Sequence, residues 1–162
     1  MATRGFEFAY MLDGKSCTPL EIDFVLGAAS AHVIGDLMLV QADGYIDAVT
    51  GTTTEVTCIM AEAVAAADIT AGTTTAKAWV LTRNQVWRCS TDATAATTAL
   101  IGTVKTWDTA DKNTIDADDV SNGAMVVVQG SPADGNAYPT ALDDDGNVIG
   151  HVVFADTTFG NA

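Results

Sequence analysis

Residues that carry chemistry are scarce in this chain. It holds only three cysteines, Cys17, Cys58 and Cys89, with no C-x-x-C spacing. That argues against a disulfide framework and a zinc site, and it makes buried free thiols the expectation. The two histidines, His32 and His151, lie far apart beside apolar residues, with no H-E-x-x-H pairing, so each reads as a satisfied or surface histidine. Ser30 and Ser131 stand in no G-x-S-x-G elbow, and no glycine-rich phosphate loop is present. Arg88 beside Cys89 is the one pairing that would activate a thiol. On a strand, however, adjacent side chains point to opposite faces. No catalytic residue, cofactor or metal is expected, and the chain does not read as an enzyme.

Positive charge is also scarce. Seven Lys and Arg face 21 Asp and Glu, for a net charge of -14, and residues 108–162 alone hold ten acids and one base. Such a field repels phosphate backbones and anionic lipid heads, so neither nucleic acid nor membrane is an expected partner. An acidic, hydrated face that keeps copies apart is the simplest reading of the excess. No apolar run approaches a membrane span. The N-terminal MATRGFEFAYMLDGK lacks the apolar centre of a signal peptide, so a soluble protein made in a cytoplasm is expected. Asp143-Asp144-Asp145-Gly146 lacks the acid spacing and closing Glu of a calcium loop and reads as a tight turn with Asn147.

What the chain does have is β-signal. Its 162 residues are 48% hydrophobic, enough for one domain with a real core. Phe6, Phe8 and Tyr10 alternate with Glu7 and Ala9, a period of two that predicts a strand. The segment 1–19 is either the first core strand or an arm that adds to a neighbouring sheet. Residues 20–31 fit a strand or a short helical turn. VIGDLMLV (33–40) predicts a strand, Gln41-Ala42-Asp43-Gly44 a hairpin turn, and GYIDAV (44–49) the return strand. After a turn at Thr50-Gly51-Thr52, EVTCIMAEA (55–63) places Val56, Cys58 and Met60 on one face.

MAEAVAAAD (60–68) has the composition of a helix, yet it is short, uncapped and ends on an acid that opposes the helix dipole. A strand to about Glu62 followed by a small-residue corner over 64–72 is the better prediction. TTTAKAWVLT (73–82) and QVWRCS (85–90) then flank Arg83-Asn84 as a hairpin, with Lys77, Trp79 and Leu81 on one face and Ala76, Ala78 and Val80 on the other. Further on, 90–99 reads as a loop, IGTVKTW (101–107) as a strand and 108–122 as an acidic loop. GAMVVVQG (123–130) reads as a buried strand, 131–140 as a turn, and TALDDDGNVIGHVVFAD as a last hairpin. Short strands punctuated by turns predict an all-β fold: a small β-sandwich or β-barrel domain over 20–162, with an extended N-terminal segment. Residues 100–162 are either a second β subdomain or a return of the chain to the core.

One cluster stands out. Lys77, Trp79, Arg83, Trp87, Arg88, Lys105 and Trp107 gather all three tryptophans and four of the seven bases. Trp and Arg anchor interfaces, so the region is the best interaction candidate in an acidic protein. The competing reading is that the tryptophans are core and the bases solvated.

VIGDLMLVQADGYIDAVTG leads through a short spacer into CIMAEAVAAADITAGTTTAKAWVLTRNQVWRCS. This run resembles the small all-β decoration, or cement, proteins of tailed-bacteriophage capsids. There a G-D strand, a G strand, an I-x-A-E-A run, an Ala-rich corner and a V-x-V-L-T strand recur. The resemblance covers residues 33–90. It implies a virion protein on the outer surface of an icosahedral shell, made in the host cytoplasm. Its partner would be the major capsid protein, which it would hold as a homotrimer at threefold or quasi-threefold positions, bridging neighbouring capsomers. Contacts to shell or sister subunit would come from Arg4, Phe6, Phe8 and Tyr10 in the N-terminal strand. Lys77, Trp79, Arg83, Trp87, Arg88 and Trp107 in the middle region would supply the rest. Two alternatives stay open: a carbohydrate-binding β module using Trp79, Trp87 or Trp107 as a platform, and another virion component such as a head fibre or tail subunit.

Overall fold

Where apolar and polar residues alternate the chain is extended, and it turns where glycine takes a positive φ. In the computed structural model residues 5–50, 55–92, 100–108, 113–118, 123–128 and 147–155 are described. Among them run β1 (Glu7–Met11), β2 (Glu21–Val25), β3 (Leu37–Val40), β4 (Ile46–Ala48), β5 (Cys58–Met60) and β6 (Thr75–Val80). These are followed by β7 (Gln85–Ser90), β8 (Val104–Trp107), β9 (Ile115–Asp116), β10 (Met125–Val128) and β11 (Ile149–Phe154). The fold is all-β, as the alternation predicts.

Two antiparallel sheets pack against each other. One has the order β1-β7-β11-β10-β8-β9, the other β2-β6-β5-β3-β4. Both curl back on themselves. Just past β2, Leu26 makes a parallel bridge to Ile46 of β4, and just past β7, Thr91 makes one to Ile115 of β9. Each sheet therefore touches its own far edge at one end, as a sandwich does when it begins to close into barrels. One core lies between the sheets, where Phe6, Leu37, Ile59, Leu81, Trp87, Trp107, Met125 and Phe154 meet. A second fills the curl of the five-stranded sheet with Leu26, Met38, Ile46, Cys58, Met60, Ile69, Ala76 and Ala78. Full burial of such side chains contributes about 1.5–3 kcal/mol each.

Several sequence expectations change in the structure. The strand expected over 33–40 begins only at Leu37, because Gly35 (φ +92°) crosses directly over Gly5. A Cβ on Gly35 would lie 2.6 Å from the Gly5 Cα, so only glycine fits this crossing. Val56, Cys58 and Met60 do not share a face. Val56 and Ile59 enter the core between the sheets, while Cys58 and Met60 enter the other. The phase slips at Thr57, whose N–H donates to Met38 O at 2.8 Å and whose Oγ1 accepts from Val40 N at 2.9 Å. Two residues thus stand against Met38, which is how a bulge reassigns faces.

The expected hairpin across Arg83-Asn84 is also corrected. β6 and β7 are both strands, but they belong to different sheets, and residues 81–84 carry the chain from one to the other. The corner expected over 64–72 holds but is longer, 61–74, because β5 ends at Met60 rather than near Glu62, and it carries one 3-10 turn at Ala66–Asp68 that has no side-chain cap. Its alanines at 65–67 are exposed, and Ile69 alone is buried, plugging the curled sheet. β2 is a strand, not a helical turn. β9 lies inside the expected acidic loop, where Ile115 reaches the core. β8–β11 share their sheet with β1 and β7. Of the loop expected over 90–99, Ser90 ends β7 and Thr91 makes the bridge to Ile115, while residues 93–99 lie outside the described residues, as do the turn expected over 131–140 and Asp143–Gly146.

Candidate interaction surface

The cluster of tryptophans and bases is contiguous in sequence but does not converge in space. Strand alternation separates Trp87 from Arg88, whereas Lys77 shares a face with Trp79 and Lys105 with Trp107. Trp87 and Trp107 are fully buried, and Trp79 is half-buried against Trp87, with ring centroids 5.9 Å apart. Trp87 and Trp107 are therefore core residues and present no face to a partner, which corrects their assignment as contacts. Lys105 is buried as well and donates from Nζ to Ala117 O at 2.6 Å. Lys77 is exposed beside Glu21, with Nζ to Oε1 at 3.3 Å. Arg88 is half-buried and donates from Nε to Glu7 Oε2 at 3.0 Å across the β1–β7 pair. Arg83 is exposed on the crossing between the sheets.

The N-terminal candidates separate likewise. Phe6 is fully buried against Phe154, with centroids 5.5 Å apart, and so belongs to the core rather than to a contact surface. Phe8 sits edge-on to Trp87 at 5.7 Å. β1 pairs with β7 along its length, but the register slips between Phe8 and Tyr10. Phe8 opposes the inward Trp87, whereas Tyr10 opposes Val86, so the slip turns Tyr10 to the outer face and breaks the period of two. Arg4 lies outside the described residues.

An open groove of about 770 Å³ runs between Phe8–Met11 of β1 and the returning segment Gly14–Thr18. Cys17 lines it and is exposed, against the expectation of three buried thiols; Cys58 and Cys89 are buried. Leu12 precedes this segment and Leu20 and Ile22 follow it, and they are 54%, 64% and 37% exposed. Leu12 N donates to Asn84 O and Leu20 O accepts from Val80 N, so both sit at the end where the chain crosses between sheets. Sequence reasoning passed over these residues. Residues 20–31 fit either a strand or a short helical turn, and an apolar stripe on a strand normally marks the buried face.

The histidines are both buried, and His32 lies 3.9 Å from Asp36 through Nδ1 and 3.5 Å from Ser30 Oγ through Nε2. Among the described residues no group of three or more His, Cys, Asp or Glu is placed to hold a metal ion. No helix among them is long and apolar enough to cross a membrane. Comparison with protein-family models, with curated proteins and with solved structures finds no match to this chain.

Proposed function

We propose that the protein is a structural virion component that binds the outer surface of an icosahedral phage capsid and stabilises it by bridging capsomers, without catalysis. One observation carries the reading. The run over 33–90 that resembles the capsid decoration proteins supplies β3 to β6 of the five-stranded sheet and, past the crossing, β7 of the other. Within it Gly35 fits the close crossing over Gly5 and Gly44 takes the positive φ of the β3–β4 turn, tasks that support the likeness of those motifs. A trimer at threefold positions fits the physics of such a role, since symmetric feet turn weak contacts into a strong one. The carbohydrate-binding alternative loses its platform, because Trp87 and Trp107 are enclosed and Trp79 lies half under Trp87.

Co-sedimentation tests the proposal. The purified protein is expected to pellet with expanded capsids but not with free capsid protein, and to show a trimer mass by light scattering. A monomer that ignores capsids would sink it.

A further inference from the structure

We propose that the outer edge of β2 is a docking edge for an extended, basic segment of another protein. The backbone supports this first. β2 ends its sheet, pairing with β6 alone over Glu21–Val25. Leu20 O accepts from Val80 N at 2.8 Å, and Leu26 N donates to Thr74 O at 2.9 Å. In an antiparallel ladder the residues directed at the partner alternate, so the N–H and C=O groups of Glu21, Asp23 and Val25 point away from β6. The sheet closes on β4 at the Leu26–Ile46 bridge, which joins Gly27 N–H to Ile46 O and engages the Val25 carbonyl, so the open stretch of the edge is Glu21 to Asp23. Among the described residues no strand pairs with Glu21 or Asp23 on the side away from β6, and Glu21, Ile22 and Asp23 are exposed. A row of free donors and acceptors on a strand is a template for an added strand.

The side chains then select what is added. Glu21 and Asp23 stand on one face of β2, while Leu20 and Ile22 stand on the other, both exposed. A second copy of this chain is a poor occupant. Antiparallel or parallel, β2 on β2 sets acids beside acids, between two bodies of net charge -14. Lys77, the base alongside, is already at 3.3 Å from Glu21. A segment with Lys or Arg at every second position satisfies both faces at once. Its bases meet Glu21 and Asp23, and its intervening apolar residues cover Leu20 and Ile22. The acids thus act as a filter, repelling copies while admitting a basic strand. This inference holds for any protein partner and does not depend on the capsid reading. Failure of capsid binding leaves it standing, and its own failure leaves that reading standing.

The test uses the full isotope-labelled chain and a blocked peptide of alternating lysine and valine. Amide hydrogen exchange read by NMR is expected to slow at Glu21 and Asp23 on adding the peptide. A glutamate–valine peptide is expected to leave these amides unchanged, as is a lysine–valine peptide N-methylated at alternate amides. The double variant Glu21→Lys with Asp23→Lys, its fold checked by its urea midpoint, should lose about tenfold or more in affinity for the lysine peptide, roughly one factor of 1.4 kcal/mol. It should gain affinity for the glutamate peptide. Equal binding of the N-methylated peptide would show general attraction to an acidic surface and overturn the proposal. So would protection elsewhere than β2, or concentration-dependent protection of β2 without any peptide, which would make the edge a self-association site.

Discussion

Burial separates the three cysteines sharply enough to be read chemically. Desolvation pushes the Cys58 thiol up to about 12, and Cys89 donates its S–H to Asn113 O at 2.7 Å inside the core. Cys17 is exposed on the groove. The thiolate is the reactive species, so a disulfide reagent should titrate one thiol per native chain quickly and the other two only on unfolding. Cys17→Ser should remove the fast phase; a fast phase that survives it would mean that the core opens readily. Asp92 poses a different residue-scale question. Its carboxyl is held above the ordinary range, chiefly by partial burial and then by the charges of Asp116, Asp118 and Asp108, against a stabilising hydrogen bond from Ala117 N at 2.8 Å. A raised value means that the folded chain holds the proton more tightly than the unfolded one. The group's stabilising contribution is therefore complete below its unfolded pKa and is lost as pH rises through the folded one. Asp92→Asn keeps an oxygen for Ala117 N and removes the charge. It should raise the urea midpoint at neutral pH, with the advantage shrinking as pH falls into the carboxylate range. An advantage that did not change with pH would rule out charge as the cause.

Among the elements, the crossing from β6 to β7 depends most on one side chain. Gln85 is buried; its Nε2 donates to Val80 O at 3.2 Å, and its Oε1 accepts from Thr82 N at 3.0 Å and from Trp87 Nε1 at 3.3 Å. It supplies the polar partners that the bend and the indole would otherwise lack at the seam between the sheets. Gln85→Leu keeps the volume but orphans these groups, at about 1–3 kcal/mol for each buried one. A fall of several kcal/mol in unfolding free energy is expected, and a change below about 1 kcal/mol would show that water replaces the amide. The same corner marks the limit of what could be read from sequence. β6 and β7 were legible as strands because their alternation is local. The sheet that each joins was not, because it depends on Leu81 and Gln85 finding burial against residues far away in the chain. The Ala-rich corner was legible from its missing cap and short length. The slips at Thr57 and between Phe8 and Tyr10 were not, since a single extra residue leaves no mark in an apolar pattern. The interaction candidates failed for a related reason. Seven residues close in sequence fall on β6, the crossing, β7 and β8, and which of them are buried depends on what each meets across the fold, which the local pattern does not carry. The exposed edge of β2 was not legible: residues 20–31 fit a strand or a short helical turn, and strand order is a property of the whole sheet.

Across the whole molecule, acidic charge outweighs the means to neutralise it. The described pairs Lys15–Asp13 and Lys77–Glu21 are largely exposed and Arg88–Glu7 is partly so, and surface pairs contribute about 0–1 kcal/mol each. Lys105 is spent on a carbonyl within the core. A net charge of -14 on a chain of 162 residues therefore repels itself when folded, and the unfolded chain relieves that repulsion by expanding. Screening acts on such long-range repulsion and hardly at all on the buried apolar contacts. Between about 0.01 M and 0.15 M salt the screening length falls from roughly 30 Å to roughly 8 Å, from about the size of a small domain to well within it. The thermal midpoint should rise over that interval and level off above it. Chloride and sulfate matched for ionic strength should give the same rise, because at these concentrations screening outweighs exclusion from the surface. A flat midpoint would mean that the acids are spaced widely enough not to interact. A larger rise with sulfate would mean that burial, not charge, sets the response.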